Sequence, residues 1–232
     1  MESDLLRERL DHLRSALLTA SEGRYPPPRI IAVTKTHPAE MILPLAGLGI
    51  QEIGENRVQE IREKVPLLDG KYAVHLIGRL QTNKVKYIMK DVVMIQSLDR
   101  MELAHEINRQ ALKHGMVMPV LVQVSPAGEE QKGGIDPALL RPFLKEVATL
   151  PGLHVRGLMA VMPNLGPTPE LDSLFGNMRT LFEQIREEAI PGIDMEELSM
   201  GMSGDYLYAA RHGATMVRVG SAIFGPRDYG PK

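Results

Sequence analysis

Short apolar runs alternate with longer amphipathic stretches along most of this chain. Apolar runs of about four to eight residues, bounded by glycine, proline or polar residues, are typical of buried β-strands. The sequence predicts eight such strands. They are Ile30–Lys35, Glu52–Glu55, Ala73–Ile77, Val92–Ile95, Val120–Val124, Val155–Val161, Glu197–Met200 and Met216–Val219.

Stretches with apolar residues at helical spacing lie between most of the predicted strands. Apolar residues three or four positions apart share one face of a helix. An additional helix is predicted before the first strand, where Leu6, Leu10, Leu13 and Leu17 share one face. The predicted helices that follow are Ala39–Leu48, Val58–Leu67, Arg100–His114, Pro137–Leu150, Glu170–Glu188 and Tyr206–His212.

The alternation of strands and helices predicts an α/β fold with a parallel sheet. Eight strand–helix units in 232 residues fit a (β/α)8 TIM barrel with an extra N-terminal helix. An open doubly wound sheet is the alternative, although no G-x-G-x-x-G motif follows the first strand. No shift in composition divides the chain, so we expect one domain over residues 1–232. Ser125–Gly134 and Met162–Pro169 are the longest predicted loops and suit lids over a barrel mouth.

The composition excludes several kinds of protein and site. The formal net charge is −2, and no cluster of Lys and Arg indicates binding to nucleic acid. Cysteine is absent, which excludes disulfides and thiolate metal sites, and the seven histidines form no metal-binding motif. No apolar stretch approaches the roughly 18 residues that span a membrane. The acidic start is unlike a signal peptide, so we expect a reducing cytoplasm.

The first predicted strand ends in a cation, Lys35. In a barrel, functional side chains collect at the carboxyl ends of the strands. A lysine held in an apolar pocket tends to lose its proton, and its neutral amine then forms Schiff bases with carbonyl groups. The alternative is a lysine at a strand end whose side chain simply reaches water.

Two glycine-containing stretches near the end of the chain indicate an anion site. Ser199–Asp205 places two glycines and a serine hydroxyl before a predicted helix, and Val217–Gly225 combines Gly220 with Ser221. Backbone N–H groups beside hydroxyls bind phosphate, and barrels often place such sites after strands seven and eight. For the first stretch, an ordinary helix cap is the alternative.

Two polar residues within predicted strands have two interpretations each. Arg218 would either pair with an internal carboxylate or face a ligand, because a buried charge needs a partner. His75 would either be a hydrogen-bonded core histidine or line a ligand.

Seven blocks of the sequence occur together in the order of a known family. They are Ala32–Lys35, Gly54–Glu60, His75–Lys84, Lys132–Ile135, Arg156–Met159, Met202–Asp205 and Val217–Gly225. On these blocks the chain resembles the pyridoxal 5'-phosphate homeostasis protein family, which is similar to the barrel domain of alanine racemase. Several blocks in one order are more specific than any single motif.

The resemblance implies a barrel of the alanine racemase N-terminal domain type that binds pyridoxal 5'-phosphate (PLP). Each position of the implied site is assigned from the family motif it matches. The implied residues are Lys35 for a Schiff base with PLP, Arg218 facing the pyridine nitrogen, Ser203, Gly220 and Ser221 for the phosphate, and Asn56, His75 and Met159 lining the cofactor.

The resemblance also implies a role in intracellular vitamin B6 homeostasis, in which the protein buffers or delivers PLP without strong catalysis. No catalytic residue is assigned, a monomer is expected, and apo forms of PLP-dependent enzymes are candidate acceptors. A cation near the pyridine nitrogen disfavours its protonation and makes the ring a poorer electron sink. The related racemases have a second domain that supplies a tyrosine acid/base, whereas this chain ends at Lys232, soon after its last predicted strand.

Two other functions stay open at the level of the sequence. One is a minor PLP-dependent racemase or another PLP enzyme, and the other is a Schiff-base aldolase that acts on a phosphorylated sugar. Departures from the family pattern are small. Ser221 stands where threonine is usual, Ser125-Pro126 replaces Asn-Ile in the lid stretch, and Ala210 replaces a frequent isoleucine.

Overall fold

Eight parallel strands close into a barrel in the order of the sequence. The computed structural model describes residues 2–128 and 133–226. Its first strand pairs with both the second and the last, so the barrel prediction is confirmed and the open sheet is wrong. The strands are β1 Arg29–Val33, β2 Glu52–Glu55, β3 Ala73–Leu76, β4 Met94–Leu98, β5 Met118–Val124, β6 Leu153–Ala160, β7 Ile193–Ser199 and β8 Met216–Val219.

Helices follow most strands, as in other (β/α)8 barrels. Pro44 divides the predicted helix at 39–48 in two, because proline cannot donate the hydrogen bond that continues a helix. The described helices are α1 Glu2–Ser21, α2 Ala39–Ile42, α3 Pro44–Gly47, α4 Val58–Lys64, α5 Met101–Lys113, α6 Leu140–Val147, α7 Pro169–Glu188, α8 Tyr206–Arg211 and α9 Ser221–Phe224. Short 3-10 segments occur at Val65–Leu67, Thr82–Tyr87 and Pro137–Leu139.

The predicted extra helix, α1, packs against α8 and α9 on the outside of the barrel. Its apolar face is buried as the leucine spacing predicts, with Leu10 at 0% exposure. Arg9 donates a hydrogen bond to the carbonyl of Ile223, and Arg14 donates one to the carbonyl of Leu48. These contacts support the assignment of residues 1–232 to one domain, which stays a prediction.

The described residues contain two apolar layers. The larger one lies between the strands and the surrounding helices, where burial of aliphatic side chains supplies most of the driving force for folding. The smaller one is inside the barrel and contains Ile31, Met94, Leu121, Met159 and Met216. Across residues 2–128 and 133–226, no helix combines the length and apolar character needed to cross a bilayer.

Candidate functional site

A cavity of about 410 Å³ opens among the residues that follow the carboxyl ends of the strands. Three other clefts are larger, about 510, 970 and 1180 Å³, so size alone does not locate the site. The smaller cavity is distinguished by its chemistry, because an amine, a guanidinium and two hydroxyls converge between apolar walls. Its lining consists of Val33, Lys35, Asn56, Ile77, Val161, Met202, Ser203, Gly204, Arg218, Gly220 and Ser221.

Most of the site residues predicted from the sequence meet in this cavity. The six that line it are Lys35, Asn56, Ser203, Arg218, Gly220 and Ser221. His75 and Met159 are both buried inside the barrel and are not part of the cavity lining. Their predicted contact with a cofactor stays a prediction.

Lys35 lies in a turn after β1 and is half-buried. The prediction that the first strand reaches Lys35 is wrong, because the strand ends at Val33. The N–H of Thr34 still bonds the carbonyl of Gly54 at 3.1 Å, but Thr36 then adopts a φ of 68°. A left-handed threonine ends extended structure, since β-branched residues rarely adopt it. The turn thereby directs Lys35 into the cavity rather than along the strand.

An ion-pair cluster of Glu55, Glu60 and Lys64 fixes the backbone of this turn. Nζ of Lys64 donates to the carbonyl oxygen of Thr34 and to carboxylate oxygens of Glu55 and Glu60, each at 2.8 Å. The N–H of Thr36 donates to the same Glu60 oxygen at 2.7 Å. The residues on both sides of Lys35 are therefore tied to one cluster from β2 and α4.

The two carboxylates of this cluster have opposite pKa shifts. Burial raises the pKa of Glu55, and the hydrogen bonds from Lys64 and Thr34 only partly offset that effect. Burial also acts to raise the pKa of Glu60, but hydrogen bonds from Lys64 and from the N–H of Thr36 outweigh it and lower the pKa. At neutral pH the cluster thus favours an ionised Glu60 beside Lys64.

Arg218 is a buried cation whose side chain also lines the cavity. Its two terminal nitrogens donate to Oγ of Ser199 at 2.7 Å and to the carbonyl oxygen of Ala160 at 2.8 Å. Burial lowers the pKa of Arg218 to about 10, and the nearby charge of Asp205 acts in the opposite direction. Two neutral acceptors therefore hold the guanidinium, and the side chain still forms part of the cavity wall.

Ser203 and the backbone after β8 form a compact hydrogen-bonded group. Oγ of Ser203 accepts hydrogen bonds from the N–H groups of Gly220 and Ala222, at 3.1 and 3.3 Å. A Cβ on Gly220 would lie 3.2 Å from the carbonyl oxygen of Val33, a tight contact that glycine avoids where β1 and this loop approach each other. The proton of the Ser203 hydroxyl is left to donate into the cavity.

Asn56 is placed by a close approach between the ends of β2 and β3. A Cβ on Gly78 would lie 2.4 Å from the backbone oxygen of Asn56, which only glycine avoids. The half-buried amide of Asn56 consequently reaches the cavity beside Ile77.

Two polar side chains inside the barrel were missed by the sequence interpretation. Gln96 contacts Nδ1 of His75 at 3.0 Å through its amide nitrogen and accepts a hydrogen bond from Ser199 at 2.7 Å. His75 therefore has the partner expected of a core histidine. Ser199 in turn joins this pair to Arg218.

The residues that hold the Lys35 turn were also missed. Glu55 was recognised only as a strand end and as part of a family block, and Glu60 only as part of that block. The one local signal is the spacing of Glu60 and Lys64, which are four residues apart and so lie on the same face of α4. That spacing predicts an ion pair on the helix but not its contact with Thr34.

The predicted lid loop at 125–134 is closed at its base by backbone pairing. The N–H of Ser125 bonds the carbonyl of Ile135 at 3.0 Å, and the N–H of Ile135 bonds the carbonyl of Gln123 at 2.7 Å. Lys132, which belongs to one of the family blocks, lies outside the described residues. Within residues 2–128 and 133–226, no three His, Asp or Glu side chains form a candidate metal site.

Comparison with known proteins agrees with the barrel fold. Residues 8–228 match the family model for the alanine racemase N-terminal domain. A pyridoxal phosphate homeostasis protein of Aquifex aeolicus is 42% identical over 202 residues, covering 87% of this chain and 88% of its own. The human pyridoxal phosphate homeostasis protein is 36% identical, covering 88% of this chain and 78% of its own.

A solved structure extends the comparison to three dimensions. PipY of Synechococcus elongatus PCC7942, in a structure with PLP bound, superimposes with a TM-score of 0.84 and 35% identity. The match covers 95% of this chain and all of PipY, 100%. On these matches in sequence and fold, the chain belongs to the alanine racemase N-terminal domain family and, within it, to the pyridoxal phosphate homeostasis proteins.

Proposed function

We propose that this protein binds PLP through Lys35 and buffers or delivers it within the cell, without strong catalysis of its own. The observation that carries the proposal is the convergence of an amine, a guanidinium and two hydroxyls in one cavity of about 410 Å³. The names of its relatives and the PLP bound to PipY support the same cofactor.

The residues of the cavity suit the separate parts of PLP. Nζ of Lys35 would condense with the aldehyde and release one water, which gives covalent attachment. Ser203, Ser221 and the backbone near Gly220 would hold the phosphate with hydrogen bonds, which are strong when the acceptor is charged. Arg218 would face the pyridine nitrogen and disfavour its protonation.

Weak catalysis follows from the groups that line the cavity. Among its described lining residues, Lys35 is the one ordinary proton acceptor, and no carboxylate, imidazole or phenol accompanies it. Racemisation needs proton transfer on two faces of the substrate carbon, and each transfer needs a positioned acid or base. When bound, PLP supplies an electron sink, but an unprotonated pyridine ring weakens that property.

Delivery to another protein is supported by a cationic groove beside the mouth. The groove has a volume of about 1180 Å³ and shares Asn56 with the cofactor cavity. The exposed ring of Tyr87 lies under Arg62 and Lys86, with distances of 5.1 and 4.9 Å to its centroid. Arginine and tyrosine are enriched at binding interfaces. The charged lining residues are Arg57, Arg62, Glu63, Arg79, Lys84, Arg100 and Glu102.

We therefore propose an acidic surface on an apo PLP-dependent enzyme as the partner of this groove. Its five cations outnumber its two carboxylates, although the whole chain has a net charge of −2. Complementary charge raises the rate of encounter between proteins. A monomer in the cytoplasm is the state that we propose for the carrier, consistent with a chain that lacks cysteine.

The distinction between carrier and enzyme is tested with single L-amino acids in deuterated water. Protein loaded with PLP is incubated with each amino acid, and exchange of the α-proton and chirality are followed against a control with free PLP. We expect no turnover above that control. Multiple turnovers that are lost in Lys35→Ala would make the protein an enzyme and overturn this part of the proposal.

Delivery is tested by the rate at which an apo-aminotransferase gains activity from the loaded protein. The double variant R62E/K84E should bind PLP with unchanged affinity but transfer it more slowly, with a smaller dependence on salt. The matched control is R141E/K145E, which reverses two charges on α6, away from the groove. Equal transfer rates for all three proteins would argue against the groove as the docking surface.

A further inference from the structure

A line of polar side chains crosses the interior of the barrel from the cofactor cavity to the opposite end. It starts at Arg218, which lines the cavity, and ends at Glu52, the first residue of β2. The side chains between them come from three other strands and are all buried. They are Ser199 of β7, Gln96 of β4 and His75 of β3.

The hydrogen bonds of this line all run in one direction. Arg218 donates to Ser199 at 2.7 Å, so the serine hydroxyl donates onward to the amide oxygen of Gln96, also at 2.7 Å. That contact fixes the amide orientation and leaves its nitrogen to donate to Nδ1 of His75 at 3.0 Å. The other ring nitrogen, Nε2, then carries the proton of the neutral imidazole.

The last contact joins the imidazole to a carboxylate. Nε2 of His75 lies 3.4 Å from Oε1 of Glu52, without the alignment of a good hydrogen bond. The interaction with His75 lowers the pKa of Glu52, burial acts against this, and Arg29 lowers the pKa further. Glu52 is therefore an anion at the far end of a line that begins with a cation.

The outer end of the line reaches the surface at the amino-terminal face of the barrel. Oε1 of Glu52 accepts a hydrogen bond from Arg29 at 2.9 Å, and Arg29 also bonds Glu197 at 2.6 Å. Arg29 and Glu52 both line the cleft of about 970 Å³ on that face. The line thus connects two separate depressions of the molecule.

We propose that Glu52 is a positioning residue that acts across the barrel on Arg218. Its influence passes through His75, Gln96 and Ser199. This inference rests on the proposed function, in which Arg218 faces the pyridine nitrogen of PLP. The three hydrogen bonds from Arg218 to His75 follow one another in a dry interior and polarise each other. Glu52 acts on the imidazole at their end by charge across 3.4 Å, so the anion strengthens the acceptor character of Ser199. The guanidinium is thereby held in one orientation at the cavity wall.

The test uses PLP labelled with ¹⁵N at the pyridine nitrogen, whose chemical shift reports hydrogen bonding and protonation of the ring. The ¹⁵N shift of bound PLP should move in the same direction in Ser199→Ala and in Glu52→Gln. The change should be larger in Ser199→Ala, because Ser199 bonds Arg218 directly. Release of PLP should be about fivefold faster in Ser199→Ala, the loss expected for one hydrogen bond. Ser199→Thr keeps the hydroxyl and should restore both measurements.

The matched control is Glu196→Gln, which removes a carboxylate from β7 that pairs with Arg156 outside the line. It should leave the ¹⁵N shift unchanged. An unchanged shift in Glu52→Gln and Ser199→Ala, in folded protein that still binds PLP at Lys35, would overturn the inference alone. Wild-type protein that binds no PLP would instead overturn the proposed function.

Discussion

Nζ of Lys64 lies 2.8 Å from the carbonyl oxygen of Thr34, the residue directly before Lys35. The same amine holds Glu60, whose carboxylate accepts the N–H of Thr36 on the other side of Lys35. Lys64 thus fixes the backbone on both sides of Lys35. The arrangement preorganises the amine that we propose to hold PLP, and preorganisation lowers the cost of binding.

Replacement of Lys64 by methionine should destabilise the protein and weaken its retention of PLP. Removal of one partner from a buried ion pair typically costs about 3–5 kcal/mol, because the remaining charge has no counterpart. Urea unfolding should show that loss, and the rate of PLP release should rise because the Lys35 turn loosens. Lys113→Met, at an exposed position at the end of α5, is the control and should change neither.

Stability should depend on pH through Glu60. The pKa of Glu60 is below its ordinary value of 4.5 in the folded protein, so its contribution is complete above pH 4.5 and is lost as the pH falls further. Wild-type protein should therefore be more stable than Glu60→Gln at pH 7, and the difference should shrink below pH 4.5. Urea unfolding across that range measures it. A difference that does not change with pH would contradict the assigned ion pair.

The phosphate should supply much of the affinity for PLP. Hydrogen bonds to a charged group contribute roughly 1.5–3 kcal/mol each, so pyridoxal without phosphate should bind at least about tenfold more weakly. Ser221→Ala should weaken PLP binding with the fold intact. Ser203→Ala has a second effect, because it also removes the acceptor of two backbone N–H groups.

Titrations with PLP and with pyridoxal separate these contributions. Ser173→Ala, an exposed position on α7, is the control for loss of a serine hydroxyl. Equal affinities of the wild-type protein for PLP and pyridoxal would rule out the proposed phosphate site.

The order of the strands could be predicted from the sequence because each strand of a parallel barrel is a short apolar run between polar loops. The boundaries could not always be predicted. β4 was expected to end at Ile95, yet it continues through Gln96 and Ser97, which are both fully buried. Polar residues inside a barrel interrupt the apolar pattern, and only closure of the sheet shows which interior partners they meet.

Only part of the candidate site could be predicted, and the reason is similar. Lys35, Ser203 and Gly220 stand in recognisable family blocks, so the resemblance could assign them before the fold was known. Lys64 and Gln96 act through partners that are distant in sequence, Thr34 and Ser199. Such contacts depend on the registers of separate strands, which local patterns do not contain.

Borohydride reduction of the loaded protein, followed by peptide mass analysis, shows whether PLP is attached to Lys35. Reduction makes the attachment permanent and marks the lysine that formed it. We expect the pyridoxyl group on Lys35, and its loss from that peptide in Lys35→Ala. A pyridoxyl group found mainly on another lysine, such as Lys84 in the cationic groove, would show that Lys35 is not the site of attachment.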